Sequence, residues 1–166
     1  MVQTSHLTTP VNLSFAQKHD YDVIIVGARP AGSAAAYHLA KQGVDVLLVD
    51  RYAFPRDKCC GDAVMPPAME ELLLMGIADE VQHRYAAAKC IGVWLHGLQP
   101  NYSPVDASEH FVDGYIAPRA SFDAVLCNHA LQQGVSWLDG VVIQKVEENE
   151  ENGVAMKHFT IAFLQE

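Results

Sequence analysis

The stretch from Tyr21 to Arg51, YDVIIVGARPAGSAAAYHLAKQGVDVLLVDR, leaves this chain few folds to choose from. Val23, Ile24, Ile25 and Val26 form an apolar, β-branched run, as in a parallel strand buried on both faces. Gly27 ends the run and opens the turn Gly27-Ala28-Arg29-Pro30-Ala31-Gly32. The alanine-rich segment from Pro30 to Gln42 predicts a helix, with Pro30 in the first turn, where its missing N–H is not needed. Gly43 is placed to close that helix. Val44, Val46, Leu47, Leu48 and Val49 then predict a second buried strand that stops at Asp50. Strand, glycine turn, helix, strand and acid, with Asp50 about 20 residues beyond Gly27, make the βαβ dinucleotide-binding fingerprint.

Each part of the fingerprint has a physical task. Gly27 permits the tight turn, and Gly32 lets the helix press against the strand. The helix start offers unpaired N–H groups and a partial positive charge, which suit a pyrophosphate. Asp50 would accept hydrogen bonds from both hydroxyls of an adenosine ribose, and its charge disfavours the 2′-phosphate of NADP. Arg29 occupies the middle glycine position. Two readings of it stay open: the side chain points outward and leaves the backbone amide in place, or its charge helps hold the pyrophosphate.

Composition narrows the remaining possibilities. The 166 residues suffice for one domain with a substantial core and are too few for two ordinary ones. Half are hydrophobic and 19% charged, which is a globular composition. A formal charge of −9 argues against nucleic acid or an anionic membrane surface as a general partner. No apolar run approaches the ~20 residues that span a bilayer. Residues 1–20 lack a secretion signal and read as a flexible leader, with the folded domain over 21–166. Cys59, Cys60, Cys90 and Cys127 have no zinc or C-x-x-C spacing, and the eight histidines form no cluster, so no metal site is expected.

Beyond Asp50, residues 51–62 form a long polar loop in the place where such folds bind ligands. Pro66 to Met75 predicts a helix, Ile91 to Leu95 and Gly114 to Ala117 strands, and Ser121 to Gln133 a helix closed by Gly134. Val135 to Leu138 predicts the third parallel strand. Val141 to Val146 and Val154 to Leu164 predict an antiparallel hairpin with a solvated acidic turn from Glu147 to Gly153. The expected architecture is thus α/β: a Rossmann-type FAD/NAD(P)-binding βαβ core on a parallel sheet, with an appended antiparallel hairpin. Strand 22–27 is expected to sit centrally. Its second edge would need further strands, so the fold reads as incomplete.

Three blocks together resemble the geranylgeranyl reductase family of FAD-dependent oxidoreductases, within the wider aromatic-ring hydroxylase-like group. They are the fingerprint Gly27 to Asp50, FPRDKCCGD at Phe54 to Asp62, and GYIAPRASFDAVL at Gly114 to Leu126. The middle block is similar to the family's P-R-x-K-x-C-G motif, with Cys60 as its cysteine. The resemblance implies that FAD is the cofactor. It implies that Gly27, Ala28, Arg29, Pro30, Ala31, Gly32, Asp50 and Arg51 bind its ADP half. Gly61, Asp62 and Arg119 would serve the flavin end, and Cys60 would carry any chemical role of the loop. Cys59 is expected to pack, and Cys90 and Cys127 to lie in the core.

The family's later G-D motif and substrate domain are not found here, so the chain resembles the N-terminal portion only. The implied activity is reduction of isoprenoid double bonds by hydride from flavin. Alternatives are an aromatic-ring hydroxylase or halogenase of the same fold, and a non-catalytic nucleotide-binding fragment. An isoprenoid or other small apolar substrate would belong to a full-length parent. The expected location is cytoplasmic, peripheral to a membrane through a lipid substrate, with no transmembrane segment.

Overall fold

A computed structural model of the protein describes residues 20–151 and 154–163. The expected leader falls outside these residues except for Asp20. The chain divides into two compact units, one ending at Arg56 and resuming at Asp123, the other Asp57–Phe122.

The first unit is built on three parallel strands, β1 (Val23–Val26), β2 (Val46–Val49) and β8 (Ser136–Leu138), in the order β1-β2-β8. Val23 pairs with Val46 and Val26 with Val49, while Leu47 to Val49 pair with Ser136 to Leu138. The three parallel strands expected from the apolar runs are therefore present. The expected central place of the first strand is not met: among the described residues β2 is flanked on both sides and β1 on one. Burial follows position. All four residues of β2 are buried, whereas β1 is only partly covered and Val26 is 59% exposed.

Helix α1 (Pro30–Lys41) connects β1 to β2, with Pro30 in its first turn. Ser33, Ala36 and Tyr37 are its buried residues, spaced by three and four as one helical face requires. The small Ser33 and Ala36 let the helix approach closely, and the Ser33 hydroxyl donates to the Ala28 carbonyl at 2.9 Å. The Tyr37 ring stacks on His129 of α4 (Arg119–Leu131) with 4.8 Å between centroids. Cys127 of that helix is fully buried, as expected of a core cysteine, and burial together with nearby carboxylates pushes its thiol up to about 12.

The hairpin β9 (Val141–Glu151) and β10 (Val154–Phe163) is antiparallel, with a register shift between Thr160 and Ile161. Ile143 and Ile161 pack on a core cluster of Leu47, Val49, Leu138 and Val141. The strand continues through Glu151, where the sequence suggested a turn from Glu147. Lysines offset the acids: Lys145 meets Glu147 at 2.6 Å and Lys157 meets Glu148 at 2.8 Å.

The second unit holds an antiparallel sheet in the order β3 (Ala63–Val64), β7 (Gly114–Ile116), β4 (Ala86–Ala88), and a separate pair β5 (Cys90–Val93) and β6 (Asn101–Pro104). Helix α2 (Pro66–Met75) buries Met69, Leu72 and Met75, and α3 (Ala78–Arg84) buries Val81. Helix α2 and strands β5 and β7 match their apolar patterns. The short elements β3, α3, β4 and β6 had no signal: β4 is three alanines, and β6 reads NYSP. Every residue of β5 and β6 is exposed, so Cys90 lies on the surface and not in the core. Cys59 is likewise exposed and not packed, because its loop has no apolar layer to enter.

One carboxylate ties a loop to α2. Glu70 accepts from the Ser108 hydroxyl at 2.6 Å and the His110 N–H at 2.7 Å, and its other oxygen lies 2.8 Å from His110 Nδ1. These bonds, the serine's first, hold the Glu70 carboxyl down to about 2, and the Glu70 hydrogen bond and charge raise His110 above its ordinary value.

Candidate functional site

The site of interest lies at the carboxyl ends of β1 and β2. Gly27 leaves β1 with φ +105°, a left-handed conformation that side chains disfavour, and its N–H donates to the Val49 carbonyl at 2.7 Å. Gly32, one turn into the helix, has no room for a side chain. A Cβ there would stand 1.8 Å from the Gly27 carbonyl oxygen. These two glycines bring the start of α1 against the strand end. The N–H groups of Ala31 and Gly32 fall in the first helical turn, where a helix has no internal acceptor for them.

Asp50 follows β2 and is 5% exposed. Its backbone is fixed on both sides: its N–H donates to the Leu138 carbonyl at 3.0 Å, and its carbonyl accepts from Val141 at 3.3 Å. Its side chain is fixed as well. One oxygen accepts the Ala28 N–H at 2.9 Å, and the other accepts the Tyr52 N–H at 3.0 Å and meets Arg56 at 3.6 Å. The acid is thus tied to the glycine turn, as a single rigid corner.

A cavity of about 320 Å³ opens at this corner, lined by Gly27, Arg29, Asp50, Arg51 and Arg56 among others, with one wall from Val141 to Ile143. Its size is at the lower end for small-molecule sites, ~300–1,000 Å³. Arg51 and Arg56 both lie over the Tyr52 ring, 4.8 Å from its centroid, and Arg56 also lies 5.5 Å from that of Phe54. Arg56 was given no role by sequence reasoning, although it stands inside the FPRDKCCGD block that drew attention to the loop. Its Nε is buried and makes no hydrogen bond among the described residues.

The remaining candidates belong to the second unit. There Asp62 meets the start of α4: its carbonyl accepts the Ala117 N–H at 2.7 Å and its carboxylate the Arg119 N–H at 3.2 Å. The acid therefore caps the helix that Arg119 begins, and Arg119 itself is 9% exposed. Cys60 and Gly61 lie exposed in the preceding loop.

The profile of a family described as FAD binding domain matches residues 20–158. This chain belongs to that family. FAD is its cofactor, and the first unit fits the ADP half on structural grounds: a glycine turn and helix start that open on a cavity beside Asp50, and a buried Arg56 Nε with no hydrogen bond among the described residues. Among relatives, the chain is 52% identical over 67 residues to the menaquinone reductase of Mycobacterium tuberculosis, covering 38% of this chain and 16% of that one. It is 29% identical over 130 residues to digeranylgeranylglycerophospholipid reductase 1 of Methanosphaera stadtmanae, covering 78% and 31%. Among solved structures, the myxobacterial chondrochloren halogenase CndH superposes with a TM-score of 0.69 at 23% identity, over 82% of this chain and 35% of that one. That likeness shows the shared Rossmann-type α/β fold. The chain spans less than a third of the length of these two curated relatives. No described helix is long and apolar enough to cross a membrane.

Proposed function

We propose that this chain supplies the ADP-binding end of an FAD-dependent reductase that saturates isoprenoid double bonds. The observation that carries the reading is the corner at Asp50, where a buried carboxylate, a glycine turn and a helix start line one cavity. The turn Gly27 to Gly32, with the first amides of α1, holds the pyrophosphate. Asp50 accepts the ribose hydroxyls through lone pairs its amide partners leave open, and Arg51 lies beside the adenosine. Cys60, Gly61, Asp62 and Arg119 serve the flavin end, with Cys60 as the chemical candidate. Bound flavin supplies the hydride, and the protein supplies orientation. Two relatives whose names state reduction of a quinone or a geranylgeranyl lipid support this substrate class, and a lipid substrate would bring the enzyme to a membrane surface from the cytoplasm.

A second reading is a halogenase or aromatic-ring hydroxylase of the same fold; the CndH superposition supports that fold, which by itself does not separate the two readings. The chain is read as the first portion of a longer enzyme, so the 166-residue polypeptide should bind FAD weakly and show no turnover. Calorimetry with ADP, FAD and NADP tests the site: ADP and FAD should bind and NADP should not. Binding of NADP as tight as that of ADP would remove the ribose role of Asp50. Tight FAD binding with reduction of a prenyl substrate by this polypeptide alone would remove the fragment reading.

A further inference from the structure

We propose that Arg29 is a phosphate-binding side chain, whose guanidinium replaces the close backbone approach that a middle glycine would allow. The inference rests on the nucleotide reading of the cavity and adds how the pyrophosphate is held there. Three observations carry it. First, the backbone at Arg29 has φ −83° and ψ −177°, extended geometry that any residue adopts, so nothing in the turn itself requires glycine at this position.

Second, Arg29 is placed against electrostatic convention. It is the residue that caps the N-terminus of α1, where the helix dipole is positive, and the first turn of α1 contains no acid. A cation is disfavoured at that end of a helix unless an anion joins it. Third, the cavity is short of negative charge. Arg29, Arg51 and Arg56 line it with Asp50 as the one acid among them. Asp50 is already committed to Arg56 and two backbone amides. Neither Arg29 nor Arg51 has an ion pair among the described residues. A doubly charged pyrophosphate meets both electrostatic conditions, the second and the third, since a guanidinium can grip two of its oxygens at once. Adenosine, without phosphate, meets neither.

The test sets the glycine of the fingerprint against the arginine of this chain. Binding of ADP, FAD and adenosine is measured by calorimetry for the wild type, R29G, R29Q and R29K, at low and at moderate salt. R29G and R29Q should bind ADP and FAD about tenfold more weakly or worse, consistent with loss of a charged hydrogen bond. Both should bind adenosine unchanged and lose part of the salt dependence. R29K should recover part of the affinity. R29Q keeps the side chain's bulk, so its agreement with R29G separates charge from turn flexibility. ADP binding by R29G that equals or exceeds the wild type overturns the proposal. Wild-type protein that binds neither ADP nor adenosine overturns the nucleotide reading of the cavity instead.

Discussion

Strand β2 and strand β5 are both four residues long, and both come from apolar stretches of the sequence. Their surroundings differ completely. Every side chain of β2 is buried between α1, β1, β8 and the hairpin, and Leu48 has no exposed surface. Every residue of β5 is exposed, with Val93 at 56%. Apolar sequence therefore marks two different things here. In the first unit it marks a layered core around a ligand corner. In the second it marks a two-stranded ribbon whose apolar side chains have no layer to enter within the unit.

The largest expected effect tests that contrast directly. Leu48→Ala should destabilise the protein by about 2–5 kcal/mol, because a fully buried side chain leaves a cavity. Val93→Ala should change stability by less than about 0.5 kcal/mol, as surface substitutions do. Urea denaturation of both variants checks it, and equal losses would mean that the β5 ribbon is buried in solution. Next comes Gly32→Ala. Its Cβ would collide with a backbone oxygen and not a yielding side chain. We expect a loss of about 3 kcal/mol, the upper range for overpacking, with a matching fall in melting temperature by circular dichroism.

A smaller effect is expected at the ligand corner. Asp50→Ala should weaken ADP or FAD binding by about 1–3 kcal/mol. Unchanged affinity, with the fold intact, would detach the acid from the ribose. The smallest effect belongs to the second unit and concerns pH. Glu70 is held below its ordinary value, so its hold on the 108–110 loop is present above about pH 4.5 and is lost as pH falls toward 2. His110 is raised, so its share is complete below about pH 6.5 and is lost as pH rises through its folded value. Nuclear magnetic resonance titration of His110 should give a value above that of a free histidine, and Glu70→Gln should lower it. An identical midpoint in that variant would show that the two side chains do not interact in solution.

How legible each region was in the sequence follows from the same contrast. The first unit could be read because its strands are buried on both faces, which forces continuous runs such as VIIV and VLLV, and because Gly27 and Gly32 answer to steric demands that only glycine meets. The position of β1 at an edge could not be read from its own residues, since edge and centre are decided by neighbours. In the second unit, β4 and β6 carry no pattern because strands of three or four residues with almost no buried side chain impose none. Asp50 and the turn were visible from spacing. Arg56 was not, because its part in the corner depends on a loop that folds back through Tyr52 and Phe54 to the acid. The Asp62 cap on α4 escaped for a related reason: the two residues whose contact makes it are more than fifty positions apart.

Val26 belongs to two structures at once. It is the last residue of β1, and it also forms part of the wall of the cavity at Asp50. The N–H groups of Val23 in β1 and of Gly27 just beyond it turn toward β2 and its flanking residue Asp45. By the alternation of a strand, those of Ile24 and Val26 turn the other way. A strand laid along that second side would therefore bond to Val26, and any shift it imposed there would move the cavity wall. Sheet extension and nucleotide affinity would then be thermodynamically linked, each strengthening or weakening the other by the same factor.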